Sequence, residues 1–268
     1  MSEIWEKLRE EASRIASTER ILSKIITEYV LERKSFADAL SWRISSRLAT
    51  GSVPANDLKE LLFSSFEKSD SIIDKIESDL IAVKDRDPAC EDFISPFLYF
   101  KGFQALCAYR ASNYLWNVNR KDIALYLQSL ISIVYSVDIH PAATIGKGIL
   151  LDHATSFVAG ETTVIEDNVS ILHEVTLGGT GKEGGDRHPK IRSGVLIGAG
   201  AKILGNVEVG QGARVGASSV VLSDVPANVS VAGVPSRVIG QMNSQSSPSL
   251  DMNHTINSMK EYESGGGI

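Results

Sequence analysis

The sequence predicts an α+β protein, an all-helical N-terminal domain followed by a parallel β-helix with an interrupting loop and a flexible tail; a change in the spacing of apolar residues predicts it. From Glu3 to about Tyr135 apolar side chains recur at three- and four-residue intervals, as in Leu22, Ile25, Ile26, Tyr29 and Val30 and again in Leu58, Leu61, Leu62 and Phe66. That is the period of an amphipathic helix. The breaks carry helix punctuation: Ser35 can cap a helix, Thr50-Gly51-Ser52-Val53-Pro54 reads as a turn, and Pro96 suits a first helical position. Six or seven helices are expected.

After Val137 the period becomes six. Ile139, Ile145, Leu151, Phe157, Thr163, Val169 and Val175 form one run, and Ile191, Ile197, Ile203, Val209, Val215 and Val221 another. Neither a lone helix nor a hairpin sheet has that period. Three short strands per coil do, with residues about eighteen apart stacking along the axis and each aliphatic side chain pointing into a triangular core. Glycine directly after the repeat position, at Gly146, Gly198, Gly210 and Gly216, suits the corners, where a side chain would clash or need a positive φ. The sixteen residues from Val175 to Ile191 are not a multiple of six, so the coil is interrupted there by the polar, glycine-rich stretch from Thr176 to Pro189. Such loops commonly carry function. Beyond Val238 the chain turns rich in Ser, Gln, Asn and Gly. The expected division is therefore 1–136 helical, 137–240 β-helix and 241–268 flexible tail.

Composition narrows the function. With 43% hydrophobic residues among 268 the chain can bury a large core, and a net charge of −6 without basic clusters disfavours nucleic acid. No apolar run approaches a membrane span and no export signal opens the chain, so no membrane partner is expected. Cys90 and Cys107 have no partner-like spacing and read as structural thiols of a reducing compartment, the cytoplasm.

Four of the five histidines lie between residues 140 and 188, where an aliphatic core has no use for imidazole. His140, before Pro141, suits a structural hydrogen bond. His153 falls two places after Leu151 and should point outward near a corner. Asp138 lies fifteen residues earlier, slightly less than one coil, so the two are expected to be close. Asp138 then either orients the imidazole for general-base work on an alcohol or serves as a surface cap. Arg187 and His188 sit on the interrupting loop, where a guanidinium suits forked carboxylate binding. His173, twenty residues after His153, falls near the same edge. Three histidines raise the thought of zinc, but neither a close pair nor a supporting shell is visible in the sequence, and no metal is expected.

Several segments together resemble the serine acetyltransferase family of hexapeptide acyltransferases. They are Lys84-Asp85-Arg86-Asp87-Pro88-Ala89, Tyr99-Phe100-Lys101-Gly102-Phe103-Gln104-Ala105, Val137-Asp138-Ile139-His140-Pro141-Ala142, Leu151-Asp152-His153-Ala154-Thr155, Gly185-Asp186-Arg187-His188-Pro189-Lys190 and Ala232-Gly233-Val234-Pro235. The resemblance implies a left-handed coil and transfer of acetyl from acetyl-CoA to L-serine, the first step of cysteine biosynthesis, with L-cysteine as feedback inhibitor. It implies His153 as general base oriented by Asp138, Asp87 and Asp152 on the substrate ammonium, Arg187 on its carboxylate, and His188 positioning or polarising the reacting groups. Acetyl-CoA, a co-substrate and not a resident cofactor, would lie near Gly178, Gly179, Ala199, Lys202 and Ala217. The family further implies a homotrimer or a dimer of trimers, with the C-terminal Ile268 inserting into O-acetylserine sulfhydrylase. The rivals are a hexapeptide acetyltransferase for another acceptor, a zinc hydratase like the gamma-type carbonic anhydrases using His153, His173 and His188, and a non-catalytic scaffold.

Overall fold

The computed structural model describes residues 2–181, 184–241 and 247–252. The chain divides into two compact units, Met1–Ser136 and Val137–Ile268.

The first unit is helical. Its α-helices are α1 (Glu3–Thr18), α2 (Arg20–Ile26), α3 (Phe36–Leu48), α4 (Ala55–Glu67), α5 (Asp70–Arg86), α6 (Ile94–Tyr99), α7 (Lys101–Asn117) and α8 (Lys121–Tyr135), with one π-helical turn, Thr27–Leu31, continuing α2. Eight α-helices among the described residues of this unit exceed the six or seven expected, because α2 and α6 are shorter than the spacing of apolar residues can reveal. Ser2 and Ser35 cap α1 and α3, each side-chain oxygen accepting a backbone N–H, from Trp5 and Asp38 respectively. Thr50 to Pro54 is the expected turn, closed by Thr50 N–H to Val53 O at 3.0 Å. Pro96 is the third residue of α6, not the first; the N–H groups of Phe93 and Ile94 before it donate to the Glu11 carboxylate. Helix α7 is buried on almost every side, and Arg110 on it donates from Nε and Nη2 to Asp79 Oδ2 of α5 at 2.8 and 2.5 Å. Cys90 and Cys107 are buried free thiols, and burial pushes Cys90 up to about 11.

The second unit is a parallel β-helix. Sheet A contains β1 (Val137–Ile139), β4 (Phe157–Ala159), β7 (Thr176–Gly178), β10 (Lys202–Leu204) and β13 (Val220–Val221). Sheet B contains β2 (Thr144–Ile145), β5 (Val164–Ile165), β8 (Lys190–Ile191) and β11 (Glu208–Val209). Sheet C contains β3 (Leu150–Leu151), β6 (Ser170–Ile171), β9 (Leu196–Ile197), β12 (Arg214–Val215) and β14 (Val229–Gly233), and is closed by the antiparallel β15 (Ser236–Gln241).

All thirteen sixfold positions are buried, at 5% exposure or less. They do not form one stacked series, however. Ile139 pairs with Ala159, twenty residues on, whereas Ala159 pairs with Leu177 at eighteen. Two extra residues therefore sit at the corner between Leu151 and Phe157, and the run crosses there from one inward strand position to the other. The loop adds eight more, since Ile165 pairs with Ile191. Thr176–Gly178, expected in the loop, is strand β7, with Leu177 fully buried. At the corners it is lack of space that selects glycine: a Cβ on Gly198 would fall 2.6 Å from Ala217 N.

Within the stretch read as a tail, Pro248–Asp251 forms a single helical turn, α9. It packs on sheet C, where Ser170 Oγ donates to the Ser249 carbonyl at 2.8 Å and both serines are fully buried.

Candidate active site

The predicted residues of the β-helix fall on two edges of the coil. One edge leads from sheet C into sheet A. Here Asp152, His153 and Ala154 turn the chain from β3 into β4, and the next coils stack His173, Ala199 and Ala217 on the same edge, linked by Gly200 N–H to His173 O and Ser218 N–H to Ala199 O.

The two extra residues make this corner unusual. His153, Ala154 and Ser156 all adopt left-handed backbone, with φ of 54°, 59° and 59°. Non-glycine residues in that region cost about 1–3 kcal/mol each, and such strain gathers at functional sites. The corner throws the His153 side chain outward, 74% exposed, as its place in the repeat predicts. Its ring meets the His173 ring edge-on at 5.8 Å, and His173 Nδ1 is sealed from solvent with no hydrogen-bond partner. The carboxylate set against His153 is that of Asp152, with Oδ1 3.8 Å from Nε2, which is beyond hydrogen-bond distance. Asp138 lies on β1, beside Val158, on the outward side of sheet A, and its charge acts on His140. The outward column of sheet A continues through Thr176 and Lys202, whose Nζ donates to the Glu174 carbonyl.

The other edge leads from sheet A into sheet B, and the interrupting loop leaves from it. His188 is 7% exposed and held on every side. Thr162 N–H donates to its Nδ1 at 3.2 Å, and Thr162 Oγ1 lies 2.9 Å from the same atom. That hydroxyl oxygen also accepts the N–H groups of Arg187 and His188 at 3.0 and 3.1 Å. The ring edge carrying Nε2 occupies the space over Gly160, where a Cβ would fall 2.0 Å away, and faces Gly179. Burial, then the charges of Arg187 and Lys190, hold the His188 pKa below the ordinary imidazole value, while Glu161 opposes them. Burial likewise lowers His140, whose Nδ1 accepts the Ala142 N–H.

Arg187, expected to hold a substrate carboxylate, already holds one: Nη2 donates to Glu161 Oε2 at 2.7 Å, and Nη1 to the Gly185 carbonyl. Glu161 is correspondingly lowered, first by that hydrogen bond. Gly160, Glu161 and Thr162 were not anticipated as site residues. They lie 25 to 28 residues before their partners, and that interval marks contact only once the extra residues of the loop are counted.

Within one chain, therefore, His153, His173, Ala199 and Ala217 share one edge, while Gly179, Arg187 and His188 share another. Gly178 ends β7 on the way to the second edge. The strand between the edges, Phe157–Ala159, spans about 10 Å at ~3.3 Å per residue. His153 and His173 thus stand on a different edge from His188, and no group of three or more His, Cys, Asp or Glu side chains able to hold a metal occurs among the described residues. Asp87 belongs to the helical unit, at the C-terminal cap of α5, where its Oδ1 accepts the Ala89 N–H at 2.9 Å. Ile268 lies outside the described residues. Among the described residues no helix is long and apolar enough to cross a membrane.

Comparison with known proteins gives consistent matches. The family described as "Serine acetyltransferase, N-terminal" matches residues 4–108, and "Bacterial transferase hexapeptide (six repeats)" matches residues 188–223. A serine acetyltransferase of Haemophilus influenzae is 51% identical over 251 residues, 94% of either chain. One of Escherichia coli K12 is 47% identical over 266 residues, 99% of this chain and 97% of that one. Among solved structures, serine acetyltransferase from Vibrio cholerae superposes with a TM-score of 0.93 at 50% identity, covering 95% of this chain and 98% of that one. A serine acetyltransferase in complex with cysteine gives 0.92 at 51% identity, covering 94% and 98%. The Brucella abortus enzyme in complex with coenzyme A gives 0.89 at 49% identity, covering 91% and 97%.

Proposed function

The chain belongs to the serine acetyltransferase family, and from that premise we propose that it moves the acetyl group of acetyl-CoA to the hydroxyl of L-serine, giving O-acetylserine and CoA. His153 takes the hydroxyl proton, the serine oxygen attacks the thioester carbonyl, the carbon–sulfur bond breaks, and the proton returns to the departing thiolate. The observation that carries this reading is the His153 ring, 74% exposed on a corner of left-handed backbone. It heads the edge on which Ala199 and Ala217 stack, two of the residues expected near acetyl-CoA. Asp138, outward on the adjoining sheet, is the orienting carboxylate of this reading. In this reading Asp152 meets the substrate ammonium, and Arg187 and His188 its carboxylate end.

Because one chain separates His153 from Arg187 and His188, the site is completed by a second copy, one copy's His153 edge meeting the other's His188 edge. Joining two unlike edges is a heterologous contact, which gives a closed ring when its rotation closes, and in this reading three copies close it. Cysteine differs from serine by sulfur for oxygen and would occupy the same site, in keeping with the cysteine complex of a relative.

The test is steady-state CoA release by the purified protein with L-serine, homoserine or an amino sugar as acceptor, with and without L-cysteine. Turnover on serine with competitive inhibition by cysteine is expected. Turnover on a sugar and none on serine would overturn the assignment.

A further inference from the structure

We propose that Thr162 is a positioning residue that fixes His188 as its Nε2–H tautomer, so that this imidazole serves the bound substrate as a hydrogen-bond donor and never as a base. The inference rests on the reading of His188 as a substrate-facing residue and assigns it one chemical role.

Counting hydrogens leads there. The Thr162 backbone N–H can only donate, and it points at His188 Nδ1 from 3.2 Å, so Nδ1 must present its lone pair. Thr162 Oγ1 accepts two backbone N–H groups, from Arg187 and His188, which leaves its own proton to give. Nδ1 at 2.9 Å and the Asp186 carboxylate are its acceptors. Whichever takes it, Nδ1 stays an acceptor, and a neutral ring then carries its proton on Nε2. The tautomer of an imidazole is set by the bond its other nitrogen makes.

The surroundings keep the ring neutral. Arg187 and Lys190 stand beside it as cations, and Lys190 Nζ is itself held by the carbonyls of Thr162 and His188 and by Asp186. Glu161 and His140 are the remaining titratable neighbours, and the Glu161 charge is engaged by Arg187. Orientation is fixed too, because Gly160 leaves space for the Nε2 edge that any other residue would fill. A ring buried to this degree, with one nitrogen satisfied from its own chain, offers a single fixed N–H. Such a donor suits a carboxylate oxygen of the substrate or the oxygen that gains charge during acyl transfer.

The experiment is nitrogen NMR of the full protein labelled with [15N]histidine, in which His188→Asn identifies the signal, combined with kinetics of Thr162→Val and Thr162→Ser. The wild-type His188 spectrum should show a protonated Nε2 and an unprotonated Nδ1 from pH 6 to 8. Thr162→Val loses the oxygen that anchors the Arg187 and His188 N–H groups, so the ring should shift off the Thr162 backbone donor; the variant should give a mixed-tautomer signal and lower kcat about tenfold or more. Thr162→Ser should restore both. A protonated Nδ1 in the wild type would overturn the proposal, as would Thr162→Val with wild-type spectrum and turnover. Should the spectrum be as expected while no acceptor amino acid is acetylated, the tautomer assignment survives and the functional reading fails.

Discussion

Two histidines on neighbouring edges of the same coil are held in opposite ways. His153 stands 74% exposed on a corner of left-handed backbone, touched by one other ring and by no hydrogen bond to the carboxylate beside it. His188 is 7% exposed, bonded through Nδ1 and its backbone N–H, and seated over a glycine. The first edge spends backbone strain on presenting a ring; the second spends packing on fixing one. That division suits a base that must reach a proton and a donor that must not turn.

The largest effect should come from the exposed ring. His153→Ala is expected to lower kcat by about 10²–10⁴-fold, the usual loss on removing a general base, with the fold intact by circular dichroism. Because the side chain supports little around it, melting temperature should hardly move. A variant with near wild-type turnover would leave the edge no catalytic part.

Gly160→Ala should come next, and it tests the packed edge alone. The new Cβ would fall 2.0 Å from Nε2 and 2.2 Å from Cδ2 of His188, so the ring must leave its seat. A displacement of about 1 Å in a positioned group can cost on the order of 10²-fold. Gly184→Ala on the nearby loop meets nothing within 4 Å and should be neutral. Equal turnover in the two variants would mean that the seat over Gly160 does not matter.

The contrast between the edges also marks what sequence alone could and could not supply. Every position that the sixfold period named is buried, because burial of aliphatic residues in a three-sided coil leaves a period that no helix shares, but Ala159, Ile165, Ile171 and Leu177 are buried as well and fall outside both runs. The period also showed that an excursion lies between Val175 and Ile191, though it begins only after β7 at Gly178, and it gave the outward set of His153. What it missed was phase. The two residues added between Leu151 and Phe157 are silent in the pattern, since the run passes from one inward position to the next without a break, yet they create the left-handed corner. The partners of His188 were hidden for a related reason: Gly160, Glu161 and Thr162 come beside the loop only when eight inserted residues are added to an eighteen-residue coil. The engagement of Arg187 by Glu161 rests on side-chain geometry that no spacing encodes.

That ion pair gives a smaller effect with a defined sign. Glu161 is 40% exposed and its bond to Arg187 is 2.7 Å long, so the pair is worth roughly 0.2–1 kcal/mol, the range for exposed ion pairs. In the proposed site it competes with the substrate carboxylate for the same guanidinium. Glu161→Gln should therefore lower KM for serine by a few-fold and leave kcat alone. A rise in KM would instead mean that Glu161 aims Arg187.

The smallest effect expected is on stability in acid, and again it belongs to the packed edge. Burial holds His188 and His140 below the ordinary imidazole pKa, so on acidification the unfolded chain takes up these protons before the folded one. Their contribution is therefore complete above the unfolded value of about 6.5, declines as pH falls toward the folded values, and changes no further below them. Melting curves from pH 7.5 to 5 should show this decline in the wild type and a shallower one in His188→Asn, which has no ring to charge. The same slope in both would place the acid sensitivity elsewhere in the fold, and would mean that the edge built to keep an imidazole neutral loses nothing when the proton arrives.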